Sequence, residues 1–311
     1  MTGPAPLDRP RLLDRRGFLG RTALVGGLAL TPGLLAACTR TQVGTGAPED
    51  DGALLARRRK QGFVRVGFAG EAPYGFQDGA ELAGEAPTLH REIFTALGVR
   101  ELRPTLTEFG ALIPGLLADR FDVVSAGMSI TPERCAKVIF SEPEFVSPTA
   151  LMVCKGNPKG VTDLESCAAK GATVGVLSAA VEASYATAAG VPEDAVKMLA
   201  KQQDGLDALL AGRIDAFALT AISLRWLART NRGAAVEVAE PFVPVVDGVR
   251  QLGAGGAVFR PGAKGLRDAF DIELRKITGR PDRFVELIGR YGFTEREVPP
   301  RSLRTADLCA G

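Results

Sequence analysis

The sequence predicts an α/β protein of two lobes, each a mostly parallel sheet flanked by helices, linked by two extended crossings. Three observations lead there. Apolar runs of strand length alternate with stretches of helical period from residue 63 onward. The alternation restarts after Lys155-Gly156-Asn157-Pro158. And Ala118-Asp119-Arg120-Phe121-Asp122-Val123 is echoed by Ala211-Gly212-Arg213-Ile214-Asp215-Ala216, a helix end, a tight turn and a strand in both cases.

Residues 53–61 read as a short basic helix and Phe63-Val64-Arg65-Val66-Gly67-Phe68 as a strand. Pro87 to Leu97 is a helix with Leu89, Ile93, Phe94 and Leu97 on one face. A strand at Leu102–Leu106, a helix at Phe109–Ala118 and a strand at Phe121–Ser125 complete a β-α-β-α-β order, which implies a parallel sheet covered by helices. In the second half, strands fall at Ala172–Val176, Val196–Leu199 and Ile214–Ala218. The helices between and after them are Ala179–Ala188, closed by Gly190, then Asp204–Ala211 and Ser223–Arg229. Gly253–Phe259 is extended, and helices follow at Lys264–Thr278 and Pro281–Tyr291. The crossings are placed near Leu151–Cys154 and Ala254–Phe259. Residues 53–152 with 255–311 therefore form lobe 1, and 153–254 form lobe 2. A cleft between the lobes, at the carboxyl ends of the strands, is where a ligand belongs.

The first 38 residues carry a different message. Asp14-Arg15-Arg16-Gly17-Phe18-Leu19 precedes an apolar run from Ala23 to Leu35, interrupted by Gly26, Gly27, Thr31, Pro32 and Gly33. Paired Arg15 and Arg16 before a short apolar run mark a twin-arginine export signal, and the interruptions make a poor membrane span. Leu35-Ala36-Ala37-Cys38 resembles a bacterial lipobox, in which Cys38 becomes the lipid-bearing N-terminus. Residues 39–52, rich in Thr, Gly, Ala, Pro and acid, are a flexible tether. The expected location is extracytoplasmic, lipid-anchored to the outer face of the cell membrane.

Composition excludes other classes. Residues 1–37 hold five arginines and two aspartates, so the whole-chain charge of +2 leaves about −1 for the rest, against a nucleic-acid partner. One histidine and no Cys-x-x-Cys argue against a protein-built metal site, and no cofactor is expected. Cys135, Cys154, Cys167 and Cys309 allow three disulfide pairings or free thiols. Cys154 and Cys167 are the nearest pair in sequence. Asp215 reads as structural, and His90, between helix-forming neighbours, as a helix-face residue.

Several segments carry a family resemblance: Gly62-Phe63-Val64-Arg65-Val66, Glu71-Ala72-Pro73-Tyr74, Glu108-Phe109-Gly110-Ala111-Leu112-Ile113-Pro114-Gly115-Leu116, Pro132-Glu133-Arg134-Cys135, Phe140-Ser141-Glu142-Pro143, and the ending Tyr291-Gly292-Phe293 with Leu308-Cys309. Over about residues 55–311 the chain resembles the amino-acid-type extracellular solute-binding proteins of ABC importers, most of all their ectoine/hydroxyectoine-binding branch. The resemblance implies the two-lobed periplasmic-binding-protein clamshell, no enzymatic activity, a monomer, and permease subunits as partners. It implies a small zwitterion as ligand. Arg134 matches the family's carboxylate clamp, a role that the guanidinium fork fills and a lysine does not. Tyr74 and Phe109 match aromatic cage positions and Glu71 the acidic one, suited to a delocalised cation.

The chain departs from the branch at Ser129, where a third aromatic is usual, and at Ala180 and Val181, where Gly and a hydroxyl residue are usual. Ser178 is the nearby hydroxyl that could stand in. Thr220 occupies the place where amino-acid binders put an Asp for the α-ammonium. The departures at Ser129, Ala180 and Val181 leave room for hydroxyectoine, a betaine or a bulkier zwitterion, and Thr220 argues against common amino acids, with a polar amino-acid receptor as the alternative function. Two other classes compete: an exported dehydratase on the same fold, with Glu71, Glu182 and His90 as candidate acids and bases, and a module sensing solutes for a membrane kinase.

Overall fold

The computed structural model describes residues 52–310. Arg15, Arg16, Cys38 and all but the last residue of the tether lie outside the described residues.

Two sheets organise the chain. In the first, the strand order is Glu101–Leu106, Phe63–Phe68, Val123–Ser129, Ala254–Phe259, Ile139–Phe140, with Phe145–Val146 also paired to Ala254–Phe259. In the second it is Val196–Leu199, Val174–Leu177, Ala216–Thr220, Thr149–Cys154, Val236–Val238. The first three strands of each sheet are parallel, and the fourth is antiparallel to its neighbour. The sheets are thus mixed: a parallel trio with the crossing strand laid against it.

The chain enters the second lobe earlier than its sequence suggests. Thr149–Cys154 is a strand of the second sheet, and its residues through Val153 are all buried. A solvated crossing would not bury an unbroken run. The crossings lie instead at Ser147-Pro148 and just before Ala254, where the Ser147 amide donates to the Gly253 carbonyl at 2.6 Å.

The echoed turns are the same device in both lobes. Asp122 Oδ2 accepts the Arg65 amide at 2.9 Å, and Asp215 Oδ2 accepts the Thr173 amide at 2.8 Å. Each aspartate stitches the start of one strand to its parallel neighbour. Burial pushes the Asp122 carboxyl up, but Arg65 and Arg58, both paired with it, draw it below its usual range. The strands after these turns start two residues later than expected, at Val123 and Ala216, because Phe121 and Ile214 are spent on packing. Phe121 covers Gly67 so closely that a Cβ there would lie 2.5 Å from its ring.

Helix Lys264–Thr278 buries Leu266, Phe270, Leu274 and Ile277 on one stripe, as its period requires. Helix Glu85–Ala96 likewise buries Leu89, Ile93 and Phe94, and His90 with them. His90 is therefore fully buried, with Nε2 2.7 Å from Glu144 Oε1 and Phe94 and Phe270 edge-on to its ring. Burial lowers it to about 3, so it is neutral, and pushes Glu144 and Glu85 well above the carboxylate range. The helix Ala221–Thr230 of the second lobe leans on the first: Ile222 joins the first lobe's core, and Trp226 stacks between Phe76 at 5.6 Å and Tyr291 at 6.1 Å.

The cysteines pair across the chain. Cys135 and Cys309 form a disulfide that fastens the last helix, Thr305–Ala310, to Pro132–Cys135. The near pair, Cys154 and Cys167, stays free. They are held in separate packing clusters, and burial pushes the Cys167 thiol up to about 12.

Candidate functional site

The site forms where five segments meet between the lobes. Strand Phe63–Phe68 gives way to a loop bearing Glu71 and Tyr74, across the cis Ala72–Pro73 peptide. The Tyr74 ring is buried against Phe145, 4.8 Å between centroids, and Phe293, 6.0 Å. Its hydroxyl crosses the cleft and donates to Thr220 Oγ1 at 3.0 Å. Ser223 on the following helix donates its hydroxyl to Glu71 Oε1 at 2.9 Å, a second bond between lobes.

Gly127 makes room for this arrangement. Its φ of 59° lies in the left-handed region, and a Cβ would sit 2.3 Å from the Tyr74 ring. Arg134 rises from Pro132–Cys135, a single turn that starts with Pro132 and is capped by Thr131, whose Oγ1 accepts the Arg134 amide at 3.3 Å. The guanidinium donates to the carbonyls of Ser129 at 2.8 Å and Ala179 at 2.9 Å, one from each lobe, and lies 5.5 Å over the Phe109 ring. Ala179 takes φ 64°, unusual for a residue with a Cβ, and its carbonyl is the one that receives Arg134.

These groups enclose an inner cavity of about 20 Å³. That is room for about one water, so the lobes stand shut. Glu71, Tyr74, Phe109, Ser129, Arg134, Val181 and Thr220 all line it, with Gly127, Ala180, Glu182 and Leu219. Ser178 does not: it is exposed, and its amide is engaged by the Leu199 carbonyl. A vestibule of about 710 Å³ adjoins, sharing Phe109, Arg134, Ala180 and Val181, with Ile113, Leu117, Tyr185 and Val246 on its apolar walls.

The electrostatics are acidic. Burial pushes Glu71 up to about 7, with the Ser223 hydroxyl pulling it back and Glu182 adding to the rise. Burial also pushes Glu182 up to about 7, opposed by its own amide and by Arg134. Desolvation draws Arg134 below its usual value, while Glu182 supports its charge. Glu182 is only 2 % exposed. The sequence marked it only as a possible enzyme acid, yet it is a wall of the cavity. Ser223, Gly127 and the Ala179 carbonyl were not signalled at all. An acid in the first turn of a helix is ordinary sequence, and nothing local says that it faces a cleft.

The geometry is that of a two-lobed receptor closing on a small polar molecule, and known proteins agree. The family model of bacterial extracellular solute-binding proteins, family 3, matches residues 64–282, and the chain belongs to that family. It is a solute-binding protein with the periplasmic-binding-protein fold. It is 34% identical over 266 residues, covering 82% of this chain and 86% of the relative, to a probable amino-acid ABC transporter periplasmic-binding protein, y4tE, of Sinorhizobium fredii. The crystal structure of EhuB in complex with hydroxyectoine is 37% identical, with a TM-score of 0.74 over 84% of this chain and 99% of that one. An ancestral arginine-binding protein bound to arginine is 27% identical, with a TM-score of 0.64 over 74% and 98%. Among the described residues no helix is long and apolar enough to cross a membrane.

Proposed function

We propose that this protein is an extracytoplasmic receptor, anchored by lipid on Cys38, that delivers a small zwitterion of the ectoine/hydroxyectoine kind to an ABC importer of the amino-acid type. The observation that carries the reading is Arg134. Its guanidinium is fixed by carbonyls of both lobes inside the cavity, with Glu71 facing the same space. A carboxylate would take the remaining N–H donors of Arg134. A delocalised cation would lie by Glu71 between Tyr74 and Phe109. The likeness to the hydroxyectoine-bound structure supports the ligand class. The acidity of the cavity, and the likeness to an arginine-bound receptor, favour a basic amino acid as the second reading.

Thermal unfolding of the purified protein with ectoine, hydroxyectoine, glycine betaine and L-arginine tests this. A ligand at a hundred times its dissociation constant should stabilise by about 2.7 kcal/mol and be recovered unchanged. If none of the four raises the midpoint, the ligand class is wrong; chemical turnover of any would make the protein an enzyme. The anchor has its own test. Cys38→Ser should appear in the soluble fraction after a salt wash, and persistence of this variant with membranes would remove the lipid from the proposal.

A further inference from the structure

Resting on that reading of the cleft as a zwitterion site, we infer that Glu182 sets specificity by meeting the solute's carboxylate as a neutral hydrogen-bond donor. Glu182 enters from the second lobe, opposite Glu71, and shares the inner cavity with Arg134. No side chain of the described residues bonds its carboxyl. The turn before it, Ala179-Ala180-Val181, offers no hydroxyl. The Ser184 hydroxyl is turned back onto the Val181 carbonyl at 2.7 Å. A carboxylate that takes the remaining N–H donors of Arg134 thus arrives beside Glu182.

Two charge states lead to opposite outcomes. Ionised, Glu182 competes for Arg134 and repels the incoming carboxylate. Protonated, it offers an O–H to that carboxylate, a short charge-assisted bond. The titratable and charged groups that face it are Arg134, Tyr185, Glu71 and Tyr74. Arg134 is the one cation among them. With both acids ionised the cavity carries a net charge of about −1, which a net-neutral zwitterion leaves uncompensated; one retained proton balances it. The solute itself decides where the proton stays. Its cation, lying against Glu71, draws Glu71 down and ionises it. Its carboxylate, lying against Glu182, pushes Glu182 further up. Since both acids start at about 7, a small bias in each direction suffices.

The sign of the pH dependence follows. Glu71 must lose its proton, so affinity falls as pH drops below about 7. Glu182 must keep its proton, so affinity falls again as pH rises above about 7, its value in the free protein, and levels off above the higher value it takes in the complex. Calorimetry of the purified protein with hydroxyectoine as probe, from pH 5.5 to 9.5, reads both limbs, and the alkaline limb should approach a ten-fold loss per pH unit. Glu182→Gln keeps a donor and cannot titrate. It should bind within about three-fold of wild type at pH 7 and show no alkaline limb up to pH 9.5. Glu182→Leu, of similar volume and without a donor, should bind at least about ten-fold more weakly throughout.

An alkaline limb unchanged in Glu182→Gln overturns the inference. So does a ten-fold loss in Glu182→Gln together with wild-type affinity that rises through pH 9, because Glu182 then binds ionised, against a second cation. L-Arginine would in that case outcompete hydroxyectoine. In either event, Arg134→Ala still abolishing hydroxyectoine binding leaves the zwitterion reading intact. Wild type binding neither probe removes that reading and the inference together.

Discussion

Arg134→Ala should weaken binding of the cognate zwitterion by about 2–5 kcal/mol, the largest single loss expected in the cleft. The estimate follows from what stays behind. Among the described residues the guanidinium is the cavity's only cation, and its removal leaves a buried carboxylate on the ligand without a charged partner. It also removes the bridge between the Ser129 and Ala179 carbonyls, which ties the lobes in the closed form. Arg134→Lys should recover little, because one ammonium cannot span two carbonyls and still face a carboxylate. Calorimetry decides. An alanine variant that binds as tightly as wild type would place the site elsewhere.

Gly127→Ala should cost about 2–5 kcal/mol of stability and blunt binding as well. One part is conformational: an alanine at φ 59° pays the left-handed penalty of about 1–2 kcal/mol. The other is steric. The new Cβ would meet the Tyr74 ring at 2.3 Å, and Phe145 and Phe293 back that ring, so it has nowhere to go. Displacing Tyr74 also breaks its hydroxyl contact with Thr220. Urea unfolding and ligand titration on the same variant separate the two effects. A variant within about 0.5 kcal/mol of wild type that binds normally would show the ring to be mobile and its placement irrelevant.

The parts of this molecule that the sequence made legible are those governed by short-range pattern. Helix Lys264–Thr278 is found at the bounds the sequence suggests, and so is the short basic helix Ala53–Gln61. The paired turns at Asp119 and Gly212 mark two similar halves in the sequence itself. Arg134, Glu71 and Tyr74 stood out through segment resemblance, and all three line the cavity. What stayed hidden depends on distant partners. Strand Thr149–Cys154 reads as a crossing until its antiparallel neighbour Ala216–Thr220 is seen. Cys135 finds Cys309 across 174 residues, a link that spacing cannot favour over Cys154 and Cys167. Burial of His90 is set by Glu144 and Phe270, remote from its own helix. Glu182 belongs to the same group, since only the closing of one lobe on the other turns a helix-start acid into a cavity wall.

Trp226 is the chain's single tryptophan, and it rides on one lobe while stacked between Phe76 and Tyr291 of the other. The protein therefore carries its own optical gauge. Ultraviolet emission from this one indole reports the seam. Parting of the halves admits water around the ring, which reddens the light, and draws it away from Tyr291 as an energy donor. The state of the clamshell can be followed in real time on the unlabelled chain.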